Sequence, residues 1–322
     1  MKKLSLTYFL PVLLLALSFL HSCATDRPVT TIKESARDYE KLATQHYNQG
    51  DYQNAVLFYK KALSEDRKVA NLRGIASDLY NIARCYVKYG QYDNAQKLLQ
   101  EAMEINSHIN NQAGLGDNYL LQATITINQK NYSQAMELLK KSTDHFDKAK
   151  DKNGTATALN NIGSIYIKTG KYEQAHQSIN SAIPLYEKTK NHSGLAAAYN
   201  NLAYIAELQN KTEEAVKYYV MALEQDQYIE NTRGISSDLH NIASLYRKNG
   251  QLEQALFYYK RALGVNRSLS WTDRVKNDLK NIIDILDIMG RTTEKQIYQK
   301  ALEELRAADQ NEQLEELPGP IP

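Results

Sequence analysis

The sequence predicts an all-α solenoid of stacked antiparallel helix pairs. Alanine and glycine recur at intervals of 40 residues, and a fixed period of this length is typical of a repeat array. Apolar residues inside each unit follow helical spacing, and no strand pattern accompanies them. The recurring residues are Ala55, Ala95, Ala135, Ala175, Ala215 and Ala255, together with Gly74, Gly114, Gly154, Gly194 and Gly234.

Each unit divides into two amphipathic helices, as the second unit illustrates. Residues 79–86 carry one apolar stripe at helical spacing, and residues 92–102 carry another. Gly90 lies between the stripes, where it can adopt the left-handed conformation that ends many helices. Small residues such as Ala83 and Ala95 on the facing stripes allow the two helices to approach closely.

Two segments resemble tetratricopeptide repeats: YNQGDYQNAVLFYKKAL at 47–63 and YRKNGQLEQALFYYKRAL at 246–263. The resemblance implies a right-handed superhelix whose concave groove is lined by the first helix of each unit. Six clear units occupy residues 36–275, each of 40 residues where the family usually has 34. Asn or Asp stands three residues before each recurring glycine, which favours a turn or helix N-cap there.

The array becomes irregular after its sixth unit. Lys295 replaces the packing alanine, so residues 276–308 are interpreted as a degenerate capping pair that covers the last apolar face. Residues 309–322 are rich in acidic and polar residues and predict a disordered tail.

The first residues are typical of an export signal. Lys2 and Lys3 precede an uncharged, leucine-rich stretch, so residues 1–22 predict a signal peptide. Leu-His-Ser-Cys ending at Cys23 resembles the lipobox of bacterial lipoproteins. The resemblance implies that Cys23 is lipidated and that residues 23–35 form a tether to the bilayer. In such lipoproteins Asp after the cysteine favours retention in the inner membrane, so with Ala24 the resemblance implies the outer membrane of a bacterial envelope, facing the periplasm.

The net charge argues against nucleic-acid binding. The formal charge of +2 comes from Lys2 and Lys3, and without them 37 basic residues face 37 acidic ones. Nucleic-acid binders depend on an excess of Lys and Arg that displaces phosphate counterions.

No motif in the sequence indicates catalysis. The seven histidines show no HxxxH or HExxH spacing, so no metal or other cofactor is expected. Cys85 has no histidine at a suggestive distance and is interpreted as a packed thiol. We therefore expect a protein that is not an enzyme.

The candidate binding residues follow from the implied groove. Asn recurs every 40 residues on the first helices, and each amide can both donate to and accept from an extended peptide. The alternative is that these amides bond neighbouring helices to one another. The candidates, which include aromatic and basic neighbours, are Asn81, Arg84, Lys88, Asn160, Asn161, Lys168, Asn200, Asn201, Tyr204, His240, Asn241, Arg247 and Lys248.

Together these features predict a membrane-anchored scaffold or adaptor that binds a protein or peptide partner in its groove, in bacterial envelope assembly. An alternative is a carbohydrate- or peptidoglycan-associated accessory of an envelope enzyme. A sensory repeat module is a third hypothesis. The fold by itself does not choose among them.

Overall fold

A computed structural model describes residues 28–315 of the chain, with side chains described as far as residue 308. The predicted signal peptide at 1–22, Cys23, residues 24–27 and residues 316–322 lie outside the described residues.

Within residues 28–315 the chain forms fourteen α-helices and no strand, which confirms the predicted all-α solenoid of helix pairs. The helices fall into two compact units that divide after Gln129. The first unit contains α1 (Val29–Gln49), α2 (Tyr52–Lys68), α3 (Leu72–Lys88), α4 (Tyr92–His108) and α5 (Gln112–Asn128).

The second unit contains nine helices among its described residues, and consecutive helices pack against one another. They are α6 (Tyr132–Ala149), α7 (Lys152–Lys168), α8 (Tyr172–Thr189), α9 (His192–Leu208), α10 (Thr212–Tyr228), α11 (Thr232–Lys248), α12 (Leu252–Ser268), α13 (Thr272–Ile288) and α14 (Thr292–Glu315).

The turns between helices repeat as regularly as the helices. One residue with positive φ follows every helix from α1 to α13, and Gly90 takes this place with φ of 71° as the sequence predicts. Glycine recurs at such positions because it adopts left-handed backbone without steric cost. Seven described helices have Asn or Asp at the N-cap. In five of them the side chain accepts a hydrogen bond from the amide three residues later: Asp51, Asn111, Asn131, Asp151 and Asn191.

The recurring glycines provide space for a side chain from the preceding helix. At Gly154, a Cβ atom would lie 2.3 Å from the ring of Phe146, which is fully buried. At Gly194, it would lie 2.3 Å from the ring of Tyr186. The 40-residue period therefore records a contact between the end of one pair and the start of the next.

The recurring alanines are buried where the two helices of a pair meet. Ala55 and Ala95 in the first unit, and Ala175 and Ala255 in the second, have no exposed surface. Larger side chains fill the space around them, since protein interiors pack to nearly crystalline density.

The last pair, α13 and α14, continues the same packing, with Leu279, Ile282 and Leu302 in one apolar cluster. Helix α14 continues through residues 309–315 of the predicted tail, because no glycine or proline interrupts the chain before Pro318. At the other end, α1 begins at Val29, inside the predicted tether. Among the described helices, none is both long and apolar enough to cross a membrane.

Candidate partner-binding face

The first helices of neighbouring pairs lie side by side within each unit. Helix α3 contacts α5 in the first unit, and α7 contacts α9 in the second. Positions three or four residues apart lie on one side of a helix. Because the first helices lie next to one another, their outward side chains form one shared surface. In the second unit we call this surface the first-helix face; it comprises Asn161, Asn201, Tyr204, His240, Asn241 and Arg247.

Part of the predicted asparagine ladder bonds helix to helix. The Nδ2 of Asn201 donates to the Oδ1 of Asn160 at 3.0 Å, which joins α9 to α7. Asn200 instead lies beside the buried carboxyl of Asp238 on α11. Asn160, Asn200 and Asn201 thus have contacts within the solenoid, as the helix-bonding alternative describes.

Two asparagines of the ladder remain free to form hydrogen bonds with a bound partner. Asn161 and Asn241 are partly exposed on α7 and α11, and neither side chain has a hydrogen-bond partner among the described residues. Tyr204 lies on α9 with 45% of its surface exposed. These side chains can bond or stack with a bound segment without first breaking a contact.

The basic candidates do not form a free positive stripe. Arg247 donates to Asn281 at 2.8 Å and to Asp284 at 3.3 Å on α13. Lys248 lies 3.9 Å from the carboxylate of Glu207 on α9. Lys168 is exposed.

In the first unit, the candidate cations are arranged differently. The guanidinium of Arg84 lies 4.5 Å from the ring centroid of Tyr47 and donates to Asn81 at 3.1 Å. Lys88 is exposed at the end of α3. Arg84 is therefore held by a cation–π contact on this surface.

A polar pocket of about 240 Å³ opens on the first-helix face between α11 and α13. Arg274 stands at its edge with its guanidinium 4.9 Å from the ring of Trp271, and it donates to Ser236 at 3.2 Å. His240 Nδ1 lies 3.4 Å from the Oδ1 of Asp278. The lining residues are Ser236, Ser237, His240, Asn241, Asn266, Arg274, Asn277 and Asp278.

Arg274, Asn277 and Asp278 are not among the candidates from the sequence. Arg274 replaces a recurring glycine, and Asp278 stands 40 residues after Asp238. The 40-residue register could therefore have pointed to Arg274 and Asp278 as pocket residues, although the repeat becomes irregular near residue 275.

A buried acidic pair lies beneath this face. Asp226 on α10 and Asp238 on α11 are 3% and 1% exposed. Burial, reinforced by the neighbouring Asp226 charge, raises the pKa of Asp238 to about 7. Burial also raises the pKa of Asp226.

Several solved structures share this fold. A signal-transduction ATPase with a tetratricopeptide repeat sensor from Pyrococcus horikoshii is 17% identical with a TM-score of 0.64, and the match covers 88% of this chain and 44% of that one. A Rap protein complexed with Competence and Sporulation Factor is 16% identical with a TM-score of 0.62, covering 85% and 75%. Aspartyl phosphate phosphatase F from Bacillus subtilis is 19% identical with a TM-score of 0.60, covering 90% and 74%.

No curated protein was found to match this chain. A tetratricopeptide repeat family model matches it three times, at residues 35–107, 116–188 and 194–268. These matches cover more than half of the sequence and fall on the helix pairs described above, so the chain belongs to the tetratricopeptide repeat family.

Proposed function

We propose that this protein is a lipid-anchored tetratricopeptide scaffold that binds a peptide segment of a protein partner on the first-helix face, in assembly at the bacterial envelope. The observation that carries the binding role is the pair of unpartnered amides at Asn161 and Asn241, of which Asn241 lines the polar pocket. Each amide can pair with the N–H and C=O of an extended chain, and the polar lining of the pocket offers hydrogen-bond partners to a polar side chain.

The Rap protein of similar fold supplies a precedent, because its solved structure contains Competence and Sporulation Factor. The polar character of the pocket favours an extended segment with polar side chains over an apolar helix, since apolar anchors need an apolar groove.

Site-specific photocrosslinking tests where the partner binds. A photoreactive residue at Ser237 on the first-helix face is expected to capture a discrete partner in intact cells. The same residue at Gln177, which is exposed on the second helix α8, is expected to capture none. Equal capture from both positions would contradict binding on the first-helix face.

Replacing the two unpartnered amides is expected to weaken binding. The double substitution Asn161→Ala and Asn241→Ala should weaken binding about thirtyfold and lower the crosslinked yield from Ser237 accordingly, because each of the two lost hydrogen bonds contributes about 1 kcal/mol. Asn180→Ala is the matched control, since Asn180 is an exposed asparagine on α8. If the double variant gives the same crosslinked yield as the wild type, neither amide contributes to binding.

The anchor is tested by metabolic labelling with an alkyne-tagged fatty acid. We expect the label on the wild-type chain and on Cys85→Ser, and none on Cys23→Ser. Cys85 is a suitable control because it is fully buried and burial raises its pKa to about 11, so its thiol is unreactive. Label retained on Cys23→Ser would refute lipidation at Cys23.

A further inference from the structure

Three carboxylates from three different helices meet inside the first unit. Glu40 on α1, Asp66 on α2 and Asp78 on α3 each place one oxygen within 4.8 Å of the other two. Asp66 is 2% exposed, Asp78 is fully buried, and Glu40 is partly buried. Oxygens on opposite sides of a bound Ca²⁺ ion are separated by about 4.8 Å, so these three can share one ion.

The positive charge of Arg37 acts on Glu40 but forms no ion pair with it, so within the part of the chain that the structure describes the three carboxyl groups lack a paired cation. Among the described residues, no Lys, Arg or His forms an ion pair with Glu40, Asp66 or Asp78. Both carboxyl oxygens of Asp78 are buried without a hydrogen-bond partner. Burying a carboxylate in this way carries a large desolvation cost unless a cation or a proton compensates it.

Neighbouring contacts fix Asp66 rather than neutralise it. Asn71 donates to its Oδ1 at 2.9 Å. Its Oδ2 fills the space beside Gly74, where a Cβ atom would lie 1.6 Å away. The carboxylate is therefore held in place by groups that carry no charge.

The residues that stand 40 positions, or a multiple of 40, after Glu40, Asp66 and Asp78 show how unusual this group is. In the next repeat they are Tyr80, Asn106 and Asn118, and Asn106 donates to Asn118 at 2.8 Å. Elsewhere in the second unit they are Asn160, Tyr186 and Ala198, or Asn200, Asp226 and Asp238. In those repeats at most two of the three positions are acidic, as with Asp226 and Asp238, whereas among the described residues three acids meet only in the first repeat.

We propose that Glu40, Asp66 and Asp78 bind a hard divalent cation, for which Ca²⁺ is the best-fitting ion. All three donors are carboxylate oxygens, which hard cations prefer, and the partly exposed side of Glu40 leaves room for water ligands. Ca²⁺ accepts such irregular sets of oxygens more readily than Mg²⁺ does. The bound ion would join α1, α2 and α3, which stabilises the first helix pairs.

Burial disfavours the charged form of Asp78 and Glu40 when no cation is present. Burial, with the repulsion of Glu40 and Asp66, raises the pKa of Asp78 to about 8, and burial raises the pKa of Glu40.

Isothermal titration of CaCl₂ into the full chain, purified in detergent and freed of metal, tests the site. One ion per chain is expected. Asp78→Asn and Glu40→Gln should each weaken binding at least tenfold. Asp238→Asn, which alters a buried acid of the second unit, should leave binding unchanged.

The proposal is overturned if none of Ca²⁺, Mg²⁺ and Mn²⁺ binds or raises the melting temperature at about 1 mM, a concentration typical of weak extracellular sites. It is also overturned if Glu40→Gln and Asp78→Asn bind Ca²⁺ as the wild type does. Glu40→Gln keeps the test decisive if Asp78→Asn does not fold, because Glu40 is partly exposed. Neither result depends on the lipid anchor or on the partner.

Discussion

At about pH 8, the Asp238→Asn variant is expected to be more stable than the wild-type chain by about 2 kcal/mol. Asp238 is 1% exposed and lies beside Asp226, so its ionised form is opposed by burial and by a like charge. An amide removes that charge while keeping the shape of the side chain. The repeat already contains such a pair: Asn266 donates to Asp278 at 2.6 Å in the same register.

The pKa of Asp238 in the folded and in the unfolded chain determines how stability changes with pH. The pKa of Asp238 is about 7 in the folded chain, whereas an unfolded Asp titrates near 3.9. Between these values the folded state holds a proton that the unfolded state has lost, so stability falls as the pH rises and becomes constant above about pH 7. The slope is about 1.4 kcal/mol per pH unit at most, or up to about 4 kcal/mol over the whole range.

Urea unfolding followed by circular dichroism across this pH range measures the effect. The difference between wild type and Asp238→Asn isolates the Asp226–Asp238 pair, because Asp78 titrates in both chains. Glu224→Gln is the control, since Glu224 is an exposed acid on the same helix as Asp226. Parallel pH profiles for wild type and Asp238→Asn would contradict the predicted titration.

Gly154→Ala is expected to destabilise the protein by about 2–3 kcal/mol. The added Cβ would lie 2.3–2.5 Å from three atoms of the Phe146 ring, and Phe146 is fully buried. The ring cannot rotate away without displacing its neighbours, so α6 and α7 must separate or strain. Thermal unfolding measures the effect, and Gly154→Ala is expected to have a lower melting temperature than the wild type.

Gly264→Ala is the matched control for this prediction. Gly264 is an exposed residue inside α12, and a Cβ there meets nothing within 4 Å. Alanine is a better helix former than glycine, so this substitution should stabilise the chain by up to about 1 kcal/mol. If both variants shift the melting temperature in the same direction, the proposed contact at Gly154 is not the reason for the glycine.

The sequence alone determines the helix pairs, their period and much of the turn geometry. Alanines at 40-residue spacing can pack two helices closely, and Gly90 can end a helix, so local chemistry and periodicity suffice for these predictions. The sequence likewise places Asn161 and Asn241 on first helices, because helical spacing is a property of the chain itself.

Only the tertiary structure decides which of these side chains form hydrogen bonds within the solenoid and which remain free. Asn201 has the same register position as Asn161 in the repeat, yet its side chain donates to Asn160 on a neighbouring first helix. Glu40, Asp66 and Asp78 are unremarkable in the sequence, since they belong to three helices and share no motif. Their convergence depends on how neighbouring pairs stack, and burial then changes their charge in a way that no local pattern encodes.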